Sequence, residues 1–306
     1  MDITQDPRIQ EFLLRHDDHH LDGEKIAVFD CDGTVVRGDI GEAMLYRQVL
    51  KFQFRQSPAD IWTDYPHRAE LDRTFRVLAG VPVEDRHDRP EFGAFAEMIL
   101  TWYHGQINDG EVEKACADIV RLYAGFTRDE VRAMANENFH EEIAAPVGER
   151  DLGFRRVPAG IRFLHETVAL LKVLQEQNFE IWAVSGSNKW SVEPVFRALG
   201  VPAERVIGID LLDDKGILIP RTEEPVPIRD KKVKAFRRRT HIKPLLVASD
   251  SRNDLPLLLY SGDMRVLVNS RRHDSADFFR LGGVVRDESW FVIENPMMID
   301  GSLRRG

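Results

Sequence analysis

Cysteine is nearly absent from this chain of 306 residues: Cys31 and Cys116 are the only two. They lie far apart and outside any metal-ligand spacing, so no thiolate metal site is encoded. Cys116 recurs at helical spacing with apolar neighbours, which makes it core. Cys31 sits between two acids, where a thiolate would be doubly repelled, and reads as a passive filler. Long apolar runs are missing too. No stretch approaches the ~20 residues of a membrane span, and the N-terminal M-D-I-T-Q-D-P-R has no apolar signal region, which points to a cytoplasmic chain. Basic surplus is also lacking. A net charge of -9 speaks against a nucleic-acid or anionic-membrane partner, because counterion-release binding needs clustered Lys and Arg. The run Arg237–Arg239 is then a solvated helix face. The stretch His16, Asp17, Asp18, His19, His20 has no apolar framework around it, so it reads as a polar N-terminal arm rather than a metal site. Internal repeats and low-complexity linkers are absent as well.

What is present is a globular composition, 43% apolar and 30% charged, long enough for two cores. The chain is organised around Ile26 to Thr34, I-A-V-F-D-C-D-G-T. A short β-branched and aromatic run stops at two carboxylates one residue apart, and Gly33 marks the turn. Ligands bind at the C-terminal ends of strands in open α/β sheets. Two acids placed there are costly unless a cation or a reaction needs them.

Residues 1–24 read as an amphipathic lead-in helix (Ile9, Phe12, Leu13) and a polar turn closing at Gly23. From Gly38 to about Val157 β-branched runs nearly vanish and helical periodicity takes over. Ser57-Pro58 opens one helix. Thr127 with Glu130 forms a capping box before another, and about five helices can be counted on this periodicity. The segment is therefore an all-α insertion. From Pro158 onward helices and strands alternate again. A helix runs through Phe163, Val168, Leu170, Leu171 and Leu174, and the strand Glu180–Val184 ends at Ser185-Gly186-Ser187-Asn188. A helix Val192–Leu199, a strand Arg205–Ile209 and a hairpin turn at Asp213-Asp214-Lys215-Gly216 follow. Then come a helix Lys231–Arg238, a strand Leu245–Ser249 ending at Asp250, and short strands Arg265–Asn269 and Val284–Arg286. This alternation implies an α/β fold with a mostly parallel, Rossmann-like sheet. The expected division is 1–37 with 158–306 as the α/β core, and 38–157 as the helical insertion.

Three strands thus end in complementary polar groups: Asp30 and Asp32, then Ser185, then Asp250 with Asn253 and Asp254. Lys231-Lys232 lies between the last two. Acids at that density suit a hard divalent cation with oxygen ligands, most simply Mg²⁺. The hydroxyl and the ammonium are left to hold an anion, most simply a phosphate.

The order D-x-D-G-T, S-G, K, S-D-x-x-N-D resembles the haloacid dehalogenase superfamily of phosphohydrolases, over about the first 37 residues and the last 150. The resemblance implies that Asp30 is a nucleophile forming an aspartyl phosphate and that Asp32 is the general acid, then the base. It implies Mg²⁺ held by Asp30, the Asp32 carbonyl and Asp250, with Asp254 supporting that shell, and phosphoryl oxygens held by Ser185, Gly186 and a lysine. Lys231 and Lys232 are not distinguished by the pattern alone; K-V-K-A-F favours Lys232. Asp32 favours a phosphatase, since the family's dehalogenases lack an acid there and the transport ATPases carry Thr. The fourth motif departs from the common G-D-G and brings Arg252 beside the acids.

The insertion between the first two motifs stands where the phosphoserine-phosphatase-like branch carries a helical cap. In that branch an acid a few residues beyond the nucleophile meets the substrate's amino group, and Asp39 and Glu42 stand at matching positions. V-R-G-D-I-G-E-A and V-I-G-I-D-L look more like the bacterial phosphorylcholine phosphatases. A quaternary ammonium wants aromatic faces, for which the insertion offers Trp62, Tyr65, Phe75, Trp102 and Tyr103. Trp62 and Tyr65 rank first, because they lie in a Pro-broken stretch with Asp60 and Asp64. The expectation is a Mg²⁺-dependent phosphatase acting on a small phosphorylated metabolite. A phosphomutase-like phosphotransferase and a non-catalytic phosphometabolite binder or signalling protein are the alternatives.

Overall fold

The structure is a computed structural model and describes residues 3–17, 25–270 and 275–299. In chain order, α1 (Pro7–Arg15) precedes β1 (Ile26–Phe29) and the short β2 (Val36–Arg37). Six helices follow: α2 (Ile40–Leu50), α3 (Pro58–Ile61), α4 (Arg68–Ala79), α5 (Pro90–Asn108), α6 (Val112–Arg121) and α7 (Arg128–Ala144). A ribbon of β3 (Gly148–Asp151) and β4 (Arg156–Ala159) leads to β5 (Arg162–Phe163), α8 (His165–Glu176), β6 (Glu180–Asn188) and α9 (Lys189–Arg197). Then come β7 (Val206–Ile209), the hairpin β8 (Leu211–Asp214) and β9 (Ile217–Thr222), and α10 (Lys231–Arg237). The chain continues through β10 (Leu246–Ser249), α11 (Leu255–Leu259), β11 (Met264–Asn269), α12 (Ser275–Gly282) and β12 (Trp290–Glu294).

Six strands form one parallel sheet in the order β12-β11-β10-β1-β6-β7. Side chains alternate across it. Ala27 and Phe29 of β1 join a core with α1, α8 and α9, while Ile26 and Val28 join one with α10, α11 and α12. The chain leaves β1, returns as β6 on one side, and later crosses to β10 on the other. The C-terminal ends of β1, β6 and β10 are therefore neighbours at a topological switch point, where a crevice opens.

The insertion builds its own core around Phe52, Phe95, Trp62, Tyr103 and Tyr123, and the β8–β9 hairpin contributes Leu211 and Leu218 to it. The Gly125 amide donates to the Leu218 carbonyl, and the Leu218 amide to the Phe126 carbonyl. Thr127 and Glu130 form the expected capping box on α7.

Three differences from the sequence expectation have physical causes. The insertion is not purely helical, because β3 and β4 form an antiparallel ribbon; its residues are mostly polar and exposed, so they carried no strand signal. Phe163 pairs in β5 with Val36 instead of starting a helix. Val284–Arg286 is not a strand, and Val285 is 84% exposed; the edge strand is the apolar run Trp290–Glu294, which pairs with β11. The turn expected at Gly23, and Asp18, His19 and His20, lie outside the described residues, while His16 bonds Asp263 at 2.8 Å.

Trp62 and Tyr65 are interior: Trp62 is 1% exposed, donates its indole N–H to the Asp118 carbonyl at 3.0 Å, and stacks edge-on with Tyr65. Trp62→Ala is expected to lower the stability of the helical insertion by about 3–5 kcal/mol, read from urea unfolding followed by circular dichroism. A change in ligand affinity with no loss of stability would contradict this placement.

Candidate active site

The apolar run of β1 ends as its last ladder bond is made: the Asp30 amide donates to the Ala248 carbonyl of β10 at 3.0 Å. The chain then doubles back. The amides of Val35 and Thr34 both donate to the Cys31 carbonyl, and the Gly33 amide donates to that of Val36 at 2.8 Å. Gly33 takes φ +79°, a left-handed conformation that costs any residue with a Cβ. It also lacks the room for one: a Cβ there would lie 2.1 Å from Asp250 Oδ2. The turn after β1 is thus pressed against the acid that follows β10.

Asp30 is 6% exposed. Its Oδ1 accepts from Lys232 Nζ at 2.8 Å and its Oδ2 from the Thr34 hydroxyl at 3.3 Å. The same ammonium donates to Asp254 Oδ2 at 2.6 Å, and that oxygen also accepts from the Ser249 hydroxyl at 2.7 Å. An ammonium between two carboxylates at these distances offsets the cost of burying all three. Burial tends to lower the Lys232 pKa, yet Asp254 and Asp30 outweigh it and hold the group charged above the ordinary lysine range. Burial pushes the Asp30 carboxyl up to about 6 against the pull of Lys232, so it is still a carboxylate at neutral pH. Lys231 points elsewhere and pairs with Glu113 of α6 at 2.6 Å. One residue of helical rotation separates the two lysines.

Asp32 is held from two sides. Its Oδ1 accepts the Ile40 amide at 2.7 Å, at the start of α2, and its Oδ2 accepts the Ser187 hydroxyl at 2.6 Å. Burial, and next the charge of Asp39, push its carboxyl well above the usual range. The protonated form needed by a general acid is thereby favoured. Ser185 is 1% exposed, and its hydroxyl oxygen accepts the Ser187 amide at 3.1 Å.

A cavity of about 150 Å³ unites these groups, lined by Asp30, Asp32, Ser185, Gly186, Lys232, Asp250 and Asp254 on the sheet side. The insertion supplies the opposite wall with Asp39, Glu42, Tyr103, Val112, Cys116 and Ile119. Asp39 caps α2 by accepting the Glu42 amide at 2.8 Å. Glu42 accepts from the hydroxyls of Tyr103 and Tyr46, each at 3.1 Å, so both its oxygens are fixed. Burial, and next Glu42, hold the Tyr103 phenol protonated. Trp62 and Tyr65 do not line this cavity; they stand in the core of the insertion behind it, and Tyr103 is the aromatic that reaches the wall. Arg252 is exposed and lines an adjoining cleft with Leu267 and Phe278, not the cavity itself. Ser187, Thr34 and Ser249 donate to the acids without being marked as their partners by the motif pattern. For Ser187 a signal existed, since residues two apart on a strand share a face, but for Ser249 none did.

Among the described residues no cluster of three His, Cys, Asp or Glu side chains forms a metal cage. Mg²⁺ does not require one, because it keeps several waters and commonly takes one or two carboxylates beside substrate phosphate. Asp30, Asp250 and the carbonyl of Asp32 offer such an all-oxygen set, drawn together where Gly33 lets the turn touch Asp250. Asp254 is committed to Lys232 and Ser249 instead, which suits support of the site from behind.

Gly33→Ala is expected to abolish activity, since its Cβ cannot coexist with Asp250 in this position. Lys232→Ala leaves two buried acids without their shared counter-charge and is expected to destabilise the fold by about 3–5 kcal/mol, measured by urea unfolding at pH 7. Wild-type stability in Lys232→Ala would show that the triad is not as closed as described.

A family model described as haloacid dehalogenase-like hydrolase matches residues 99–259. The matched segment is more than half of the 306 residues and takes in Ser185, Lys232, Asp250 and Asp254. No curated protein matches the chain. A solved structure of a conserved, functionally unknown protein from Anaerococcus prevotii is similar over 89% of this chain and 87% of its own, with TM-score 0.69 and 19% identity. One of a protein of unknown function from Bordetella pertussis is similar over 89% and 99%, with TM-score 0.54 and 18% identity. These two likenesses are of fold. With the strand-end acids, the buried lysine and the family match in agreement, the chain belongs to the haloacid dehalogenase-like hydrolases.

Proposed function

We propose that the protein is a Mg²⁺-dependent phosphomonoesterase that hydrolyses a small phosphorylated metabolite through an aspartyl phosphate on Asp30. The observation that carries the reading is the pairing of a charged, buried Lys232 with Asp30 at 2.8 Å, beside an Asp32 held by donors on both oxygens. A carboxylate approaches an anionic phosphoryl group only when positive charge offsets their repulsion. Lys232 supplies part of that charge; Mg²⁺, held by Asp30, Asp250 and the Asp32 carbonyl, would supply the rest.

The chemistry falls to this chain's own groups. An Asp30 oxygen bonds to phosphorus as the bond to the ester oxygen breaks, and Asp32 gives its proton to the departing alkoxide. Asp32, now a carboxylate, takes a proton from water. The water oxygen bonds to phosphorus, the bond to Asp30 breaks and inorganic phosphate leaves. Ser185 and the amide of Gly186 stand ready to hold phosphoryl oxygens. The insertion closes the cavity and excludes water.

The acids on the cap wall support a substrate with an amine-bearing head group. Glu42, fixed by two tyrosines, and Asp39 present negative charge to a compartment that Val112, Cys116, Ile119 and Val120 also line, with Arg229 as a cation facing it. Among the described residues Tyr103 is the one aromatic that lines it, which suits a primary amine better than a quaternary ammonium in an aromatic cage.

Phosphate release from phosphoserine, phosphocholine and phosphoethanolamine, assayed with Mg²⁺ and with EDTA beside Asp30→Asn, tests the reading. Release that needs the metal and is lost in Asp30→Asn is expected; persistence of release in Asp30→Asn would exclude the nucleophile. Glu42→Gln is expected to raise KM for the amine-bearing esters about tenfold or more, the scale of one charge-assisted hydrogen bond, with kcat nearly unchanged. An unchanged KM would remove Glu42 from head-group recognition.

A further inference from the structure

Ser187 touches both halves of the site and has no part in the motif pattern. Its hydroxyl donates to Asp32 Oδ2 at 2.6 Å, and its amide donates to the hydroxyl oxygen of Ser185 at 3.1 Å. It occupies the irregular end of β6, where the register with β7 shifts between Val184 and Asn188. Two glycines leave it room. A Cβ on Gly41, in the first turn of α2, would stand 2.6 Å from Ser187 Oγ, and a Cβ on Gly208 would stand 2.8 Å from the Ser187 carbonyl oxygen. Glycine is disfavoured inside a helix by about 1 kcal/mol against alanine, so Gly41 is a concession that the contact explains.

We propose that Ser187 is a positioning residue which fixes Oδ2 as the oxygen of Asp32 that carries the proton, with Gly41 as the gap that admits it. The logic is one of donors and acceptors. The Ile40 amide can only donate, and a carbonyl oxygen accepts better than an acid hydroxyl, so Oδ1, which accepts that amide at 2.7 Å, is the disfavoured seat for the proton. A hydroxyl can donate or accept by rotating. Ser187 donates to Oδ2 when Asp32 is a carboxylate and turns away or accepts when Oδ2 is protonated, so it tolerates both states that the two half-reactions require. In the first half the proton leaves Oδ2 for the ester oxygen as its bond to phosphorus breaks. In the second it returns to Oδ2 from the water that attacks phosphorus. The Ser187 amide meanwhile occupies a lone pair of the Ser185 hydroxyl, which leaves the Ser185 proton to point at the phosphoryl group.

This inference rests on the phosphomonoesterase reading, and its test separates the two. Steady-state rates would be measured for wild type, Ser187→Ala and Gly41→Ala on 4-nitrophenyl phosphate, phenyl phosphate and a simple alkyl phosphate, whose leaving groups need protonation in increasing degree. General acid catalysis contributes about 10²–10⁴-fold. Ser187→Ala is therefore expected to lose at least tenfold more kcat on the alkyl ester than on the nitrophenyl ester, with KM altered far less. Gly41→Ala, which pushes the Ser187 hydroxyl aside, is expected to show the same leaving-group dependence. Losses equal across the series would show a merely structural role and overturn the proposal. Equal rates for Ser187→Ala and wild type would overturn it too. If wild type releases phosphate from none of the esters, the phosphomonoesterase reading fails and this inference fails with it. Melting curves of both variants identify a loss that comes from unfolding, and Ser187→Cys, which keeps a small donor at the same atom, is expected to recover part of the alkyl-ester rate.

Discussion

The burial of one ammonium between two carboxylates is the constraint on which the rest of this molecule depends. Lys232 reaches Asp30 at 2.8 Å and Asp254 at 2.6 Å, and all three side chains are at most 8% exposed. No one of them is tolerable there without the others. Their elements are far apart in sequence: the end of β1, the start of α10 and the segment before α11. Holding the triad therefore means holding the parallel order that sets β10 beside β1, and the two-sided core that fixes α10 over the sheet. Its net charge of one negative unit leaves the site favourable to further positive charge.

Around that triad the chain divides labour by layer. The strand ends and α10 supply Asp30, Asp32, Ser185 and Lys232 to one side of the cavity. The insertion supplies a wall whose chemistry is different, with Asp39, Glu42 clamped by Tyr103 and Tyr46, and apolar side chains such as Val112 and Ile119. The two layers meet through α2, whose cap is Asp39 and whose first amide, that of Ile40, holds Asp32. A single helix start thus ties Asp32 to the wall formed by the insertion. The salt bridge from Lys231 to Glu113 of α6 adds a second tie, one residue from the buried Lys232.

The first-strand acids, the serine in the last part of β6, and the acids after β10 were legible because an apolar run that stops at polar residues marks such positions in sequence. The capping box on α7 was legible for a similar local reason. Trp62 and Tyr65 were misplaced because a Pro-broken stretch looks like a loop, while the burial of its aromatics depends on α5 and α6 folding over it. The edge strand Trp290–Glu294 was missed in favour of Val284–Arg286, since a short β-branched segment carries the same signal whether or not a partner strand is present to pair with it.

Local order along the chain, then, determined the α/β alternation, the position of the insertion and the residue types at the strand ends, because backbone periodicity and turn chemistry act over a few residues. Only the tertiary structure decided that Lys232 and not Lys231 enters the site, that Asp254 faces the lysine, that Ser187 grips Asp32, and that Tyr103 is the aromatic at the wall. Each of those outcomes turns on the rotation of one helix, or on the space left by a glycine in another element, and such contacts are fixed by packing between segments that the sequence holds far apart.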